Sequence, residues 1–248
     1  MLINIEKRTI YIAGLKTAST TIENGFRGEA DIRLTRSEHG KHMSLAEIEE
    51  NFAWLFNEIA LEDFFIWGIV RNPISWLWSL YCSHKAKWAT GTDLSTNNID
   101  FRQFYDEWRV KHADQAQPQL SRFARASGKT ANCILIPFEN LTAGMAGMAR
   151  LYDQPVPAHK ILNKSPDIPI RHDQIAPLMS RICRDYDADF EAHEEASGNI
   201  DILRQRIDRH INVLRTSNPQ MNTNKKSNSL IYIFTSANKI RPFRRPTS

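Results

Sequence analysis

Three short apolar runs punctuate this chain, and segments with helical spacing separate them. Residues 9–13 (TIYIA) end at Gly14, and residues 64–70 (FFIWGIV) end at Arg71-Asn72-Pro73. Residues 132–138 (NCILIPF) carry Pro137 near their end. Runs of this length, rich in β-branched and aromatic residues and without polar alternation, predict strands buried on both faces. Small polar residues at 17–21, then Ile22 and Phe26, predict a turn entering a helix that ends near Gly25. Ser44-Leu45-Ala46-Glu47 has the form of a capping box, and Met43 can staple to Ile48. Leu45, Ile48, Phe52, Leu55 and Ile59 continue that helix along one apolar face.

Asn72 caps the next predicted helix and Pro73 suits its first turn; Trp76, Leu77, Leu80 and Tyr81 follow. Asp100 caps another, bearing Phe101, Phe104, Tyr105 and Trp108. Further helical patterns run over 140–152, 174–194 and 199–214, with loops at 88–98 and 153–172. Strands alternating with helices predict an α/β fold of three layers, α/β/α, around a mainly parallel sheet. In such sheets ligands gather at the carboxyl ends of strands.

Composition changes this picture in one respect. A chain of 248 residues with 42% hydrophobic and 24% charged residues suits one soluble domain. The formal charge of +4 is not spread evenly. Residues 217–248 carry six cations (Lys225, Lys226, Lys239, Arg241, Arg244, Arg245) and no acid, which leaves −2 for residues 1–216. The expected division is a domain over 1–216 and a loosely ordered basic tail over 217–248, with one strand around Leu230-Ile231-Tyr232-Ile233-Phe234. A body of that charge is not a nucleic-acid surface, so any anion site in it is local. Cys82, Cys133 and Cys183 form neither a disulfide framework nor a zinc pattern, and read as buried reduced thiols. No run approaches the roughly 20 apolar residues of a transmembrane helix, and residues 1–7 lack an apolar signal core. A cytoplasmic protein is the expectation; the sequence specifies no oligomeric state.

Two places carry candidate chemistry. Gly14-Leu15-Lys16-Thr17-Ala18-Ser19-Thr20-Thr21 leaves the first strand and opens a helix. Unpaired N–H groups at a helix start hold anions, Lys16 adds a point charge and the hydroxyls add donors. A polar turn with a solvated lysine would read the same over these residues alone, and the Walker pattern GxxxxGK[ST] is absent. Arg71 ends an all-apolar strand, where a guanidinium needs either a carboxylate or a bidentate anion such as phosphate. Ser79 lies eight residues on, on the same helix face as Ser75.

Taken in order, strand–K-T-x-S-T-T–helix and strand–V-R-N-P-x5-S resemble the PAPS-dependent sulfotransferases, whose donor is 3′-phosphoadenylyl sulfate. Ile136-Pro137-Phe138-Glu139-Asn140-Leu141 is similar to that family's strand and F-E-[DN]-L turn. Asn163-Lys164-Ser165 resembles a short element of carbohydrate-type members, and residues 182–190 look like their late helix ending in Y-x-x-D-F. The likeness spans roughly residues 8–192. The Arg-Lys-Gly triplet of many aryl and steroid sulfotransferases is not evident.

The resemblance implies a P-loop-NTPase-like fold and in-line sulfuryl transfer, without a metal, to an acceptor hydroxyl or amine, with a glycan favoured. It implies that Lys16 neutralises charge on the leaving phosphate while Thr17, Ala18, Ser19, Thr20 and Thr21 hold the 5′-phosphate. Arg71 and Ser79 would hold the 3′-phosphate, and Asn163, Lys164 and Ser165 would join the donor site. His42 sits where polysaccharide-type members place a histidine, and is the candidate base; His39 and Glu38 can take the same role. Glu23 is a further carboxylate near the donor loop, suited equally to an exposed helical position. Trp76, Trp78, Tyr81 and Trp108 suit either a sugar-binding cleft or the core. His84, Lys85 and Lys87 suit the basic rim of a cleft for an acidic glycan, and more simply a solvated charge cluster. Two rival functions remain: a P-loop-type kinase or NTPase, which needs a Walker loop and a Mg²⁺-binding Asp, and a non-catalytic polyanion binder.

Overall fold

Each of the three apolar runs becomes a strand; the first two are buried throughout and the third at three of its five positions. A computed structural model describes residues 1–36, 40–129, 131–157, 168–198, 200–217, 231–233 and 241–243. The sheet strands in chain order are β1 (Leu2–Asn4), β2 (Thr9–Ile12), β3 (Ile32–Arg33), β4 (Phe65–Val70) and β5 (Cys133–Pro137), arranged β3-β1-β2-β4-β5. β2, β4 and β5 run parallel, with Ile12 opposite Gly68 and Val70 opposite Pro137. β1 is antiparallel to both β2 and β3. The sheet is therefore mixed, where the sequence predicted a mainly parallel one. β1 turns back into β2 through residues 5–8, where Arg8 adopts a left-handed φ of 45° and its N–H bonds the Ile5 carbonyl.

The helices are α1 (Ser19–Phe26), α2 (Leu45–Asn51), α3 (Ala53–Glu58), α4 (Pro73–Ser83), α5 (Phe101–Gln103), α6 (Arg109–Lys111), α7 (Ala113–Ala116), α8 (Leu141–Leu151), α9 (His172–Ile175), α10 (Met179–Asp185), α11 (Asp187–Gly198) and α12 (Ile200–Ser217). A π-helical turn, Phe104–Trp108, links α5 to α6. Side-chain alternation divides the core between the two faces of the sheet. Tyr11, Ala13, Trp67, Ile69, Ile134 and Ile136 pack with residues of α1, α8 and α12. Ile10, Ile12, Ile66 and Val70 face the other way, onto α2, α3 and Phe123. Helices thus cover both faces of an α/β fold.

The predicted caps form. Ser44 and Glu47 make a reciprocal capping box, Asn72 accepts from the Ile74 N–H, and Asp100 pairs with Gln103. Two predicted helices are broken. The 44–59 pattern is interrupted at Phe52 and the 174–194 pattern at Tyr186, each with non-helical backbone and a buried ring. Burial of the ring outweighs helical continuity at both points.

A third core cluster lies behind α4 and joins Trp76, Trp78, Tyr81 and Trp108 to Phe101, Phe104, Tyr105 and Tyr186. The tryptophans are core residues with bonded indoles: Trp78 Nε1 donates to the Ile168 carbonyl and Trp108 Nε1 to that of Leu94. His84 is no part of a solvated cluster. It is 3% exposed, packed on Trp108, with Nδ1 2.9 Å from the Leu80 carbonyl. Lys85 lies over the Tyr81 ring. Of the cysteines, Cys82 is buried, Cys133 half-buried and Cys183 exposed, so the expectation of three buried thiols holds only for the first. In the tail, Ile231–Ile233 pairs with Arg241–Phe243 as a separate antiparallel ribbon rather than adding to the five-stranded sheet. No helix among the described residues is long and apolar enough to cross a membrane.

Candidate functional site

The segment after β2 turns sharply. Gly14 is so close to its neighbours that a Cβ there would lie 2.8 Å from Thr17 Oγ1 and 3.6 Å from the Ile69 carbonyl of β4. Thr17 Oγ1 donates back to the Gly14 carbonyl at 3.0 Å. Lys16 and Ala18 both adopt left-handed φ, 59° and 60°, which costs a non-glycine residue on the order of 1 kcal/mol each. Left-handed backbone at a loop–helix junction turns successive N–H groups toward one point, the geometry of an anion nest. Among the described residues the N–H groups of Lys16, Thr17, Ala18 and Ser19 form no close backbone hydrogen bond. α1 has no side-chain cap either. Its start is an unsatisfied donor set in a positive field.

The second arm leaves β4, the parallel neighbour of β2. Arg71 Nε donates to Ser75 Oγ at 3.0 Å, and that hydroxyl donates to the Asn72 carbonyl. The guanidinium lies 4.6 Å above the centre of the Phe138 ring. No carboxylate forms an ion pair with Arg71 or Lys16 among the described residues. Burial lowers the Lys16 pKa from its ordinary value, and the Arg71 charge lowers it further. Burial likewise lowers Arg71, against a smaller opposing pull from Glu139. The two cations therefore feel each other. Trp76 of α4 donates its indole N–H to the Leu15 carbonyl at 2.8 Å, which ties the two arms together. Ser79, 8% exposed on α4, has a hydroxyl without a partner among the described residues, as does Ser19, also 8% exposed.

His42 joins the loop from the other side. Its Nδ1 lies 2.7 Å from the Ala13 carbonyl. A carbonyl only accepts, so Nδ1 carries the proton and Nε2 keeps its lone pair. Burial lowers the His42 pKa to about 4, helped by Arg122, Lys41 and the N-terminal ammonium. His42 is neutral at pH 7.

Of the two positions the sequence left open for Glu23, the exposed one is excluded. Glu23 does not project to solvent. It is 4% exposed, with one carboxylate oxygen 2.9 Å from the Met1 ammonium and the other 3.1 Å from Lys41 Nζ. Lys41 also donates to Thr20 Oγ1 at 3.2 Å, so this ion cluster buttresses the start of α1. A buried carboxylate bridging two cations is structural, and its occupied oxygens make it a poor base.

Lys16, Thr17, Ala18, Ser19, Thr20, Arg71 and His42 therefore gather at the ends of β2 and β4, and Ser79 lies further along α4. Thr21 is buried one residue further into α1. Glu38, His39, Asn163, Lys164 and Ser165 lie outside the described residues. Reading the sequence missed Lys41, Gln119 and Arg122 as site residues, because their partners lie far along the chain. Comparison with family models, curated proteins and solved structures gives no match to this chain.

Proposed function

We propose that this protein is a sulfotransferase that takes its sulfuryl group from 3′-phosphoadenylyl sulfate, built on a P-loop-NTPase-like α/β fold. The observation that carries the reading is the pair Lys16 and Arg71. These are two half-buried cations at the ends of adjacent parallel strands, and neither forms an ion pair with a carboxylate among the described residues. One anion would suit the loop alone. Two separate cationic arms, each with a serine, suit a nucleotide bearing phosphates at both ends of its ribose.

The donor supplies an activated sulfuryl group; transfer makes an S–O ester bond to the acceptor and breaks the S–O bond to the 5′-phosphate. Lys16 and the N–H groups of residues 16–19 stabilise the charge that grows on the leaving phosphate oxygen. Arg71 and Ser79 grip the 3′-phosphate and fix the donor for in-line attack. His42 Nε2 receives the acceptor hydroxyl proton, held in the right tautomer by the Ala13 carbonyl. A basicity of about 4 is low for this task in the empty site. A bound polyanion raises it, so the base strengthens only when the donor is in place. The acceptor is a hydroxyl, in our reading on a carbohydrate or glycoconjugate.

Labelled-sulfate transfer across a panel of glycans, phenols and alcohols tests the reading. Transfer to a saccharide that is lost in His42→Ala, with donor binding retained, is the expected result. Binding of ATP with Mg²⁺ but not of adenosine 3′,5′-bisphosphate would instead assign a nucleotide kinase or NTPase.

A further inference from the structure

The two arms of the site share a support that no motif marks, the 3₁₀ turn Gln119–Phe123. β4 ends at Val70, yet its hydrogen bonding continues for one more residue. The Arg71 N–H donates to Gln119 Oε1 at 3.0 Å, and Gln119 Nε2 donates to the Arg71 carbonyl at 2.8 Å. A side-chain amide thus pairs with both peptide groups of Arg71 as a neighbouring strand would, and fixes the direction in which the guanidinium leaves the sheet. Three residues on, Arg122 donates to the His42 carbonyl and to the Asp114 carbonyl. Arg122 is 9% exposed and has no carboxylate ion pair among the described residues. A buried guanidinium whose only bonded acceptors are main-chain carbonyls fixes the path of the chain that carries them.

The turn is itself anchored at two points. Asp189 of α11, 3% exposed, accepts from the N–H groups of Gln119 and Leu120 at 2.7 and 2.9 Å. Phe123 packs on Gly68 in the middle of β4 so closely that a Cβ there would lie 2.5 Å from the ring. Only glycine admits the ring at that distance.

We propose that Gln119 and Arg122 are positioning residues for the two halves of one reaction centre: Gln119 sets Arg71 for the donor, and Arg122 sets His42 for the acceptor proton. The proposal rests on the donor-and-base reading above. It requires that the two residues act separately although they share a turn. The charged groups around His42 are Lys41 and the Met1 ammonium on one side and Arg122 on the other. Glu23 pairs with both of the first two and offsets one of their two charges, and Glu47 and Asp114 lie near Arg122.

Two readouts separate the roles: calorimetric binding of adenosine 3′,5′-bisphosphate, and titration of the His42 imidazole by NMR. Gln119→Leu is expected to weaken bisphosphate binding about tenfold and leave the His42 titration unmoved. Arg122→Met is expected to raise the His42 pKa by more than about half a unit, with bisphosphate affinity within about threefold. Arg122→Lys keeps the charge but not the fork. It should titrate like the wild type while kcat falls about tenfold at unchanged donor KM, and it decides the question if Arg122→Met does not fold. Gln119→Glu keeps the acceptor but not the amide donor, and should bind with intermediate affinity. Overturning results are variants that move both readouts together, variants that move neither, or wild-type kcat in Arg122→Lys. If the wild-type protein does not bind the bisphosphate, the functional reading fails; the His42 titration still decides the Arg122 half.

Discussion

Two groups of cations flank the start of α1, and they differ in one respect. Met1 and Lys41 share a buried carboxylate, Glu23, at 2.9 and 3.1 Å. Lys16 and Arg71, half-buried, repel each other and share no carboxylate among the described residues. Every cation of the first group has an ionic partner, and that carboxylate has both oxygens engaged, so the group holds structure. The second destabilises the empty fold, because each charge is partly desolvated and neither has an ion-pair partner among the described residues. A site in that condition gains most from an anion supplied by solution, and its strain at Lys16 and Ala18 has the same sense.

The contrast gives ordered expectations. Removing the shared carboxylate should have the largest effect. Glu23→Gln leaves two cations buried without a counter-ion and should lower unfolding free energy by about 3 kcal/mol in denaturant titrations. Bisphosphate affinity of the folded fraction should change little. Lys16→Ala should do the reverse. Affinity for adenosine 3′,5′-bisphosphate should fall about a hundredfold by calorimetry, while the melting temperature stays level or rises. If both variants lose stability and affinity alike, the two groups are not functionally distinct.

The third expectation concerns pH. His42 titrates at about 4 in the folded protein against 6.5 for an ordinary histidine. Below 6.5 the unfolded chain takes up a proton that the folded one refuses, so stability falls as pH drops from 6.5 to 4. His42→Gln should flatten that limb of the melting-temperature profile by an amount on the order of 2 kcal/mol. Addition of the bisphosphate should move the limb upward in pH only if the second cation group brings the anion near His42. The smallest effect belongs to Ser79→Ala, a neutral hydroxyl, with about a tenfold loss in bisphosphate affinity at most.

Much of this was legible in the sequence, for local reasons. β2, β4 and β5 are continuous apolar runs, and the caps at Ser44, Asn72 and Asp100 are short-range patterns. Lys16 and Arg71 stood out because each follows such a run. What escaped was non-local. β1 and β3 have three and two residues and no period to read; pairing alone defines them. Gln119 meets Arg71 across 48 positions and Arg122 meets His42 across 80, with nothing in the intervening chain to announce either contact. The role of Glu23 stayed open between the donor loop and an exposed helical position because its two cations come from Met1 and residue 41. The mixed sheet follows from the same blindness, since an antiparallel edge of three residues leaves no alternation.

The account depends above all on Lys16 and Arg71 being two arms for one doubly phosphorylated ligand. Calorimetric titration without Mg²⁺, comparing adenosine 3′,5′-bisphosphate with adenosine 5′-phosphate on wild type and Arg71→Ala, tests that directly. The prediction is that the wild type prefers the bisphosphate by about a hundredfold, and that Arg71→Ala erases the preference while its weak affinity for the 5′-phosphate is kept. Equal binding of both ligands by the wild type, or a preference that survives the loss of Arg71, would contradict it.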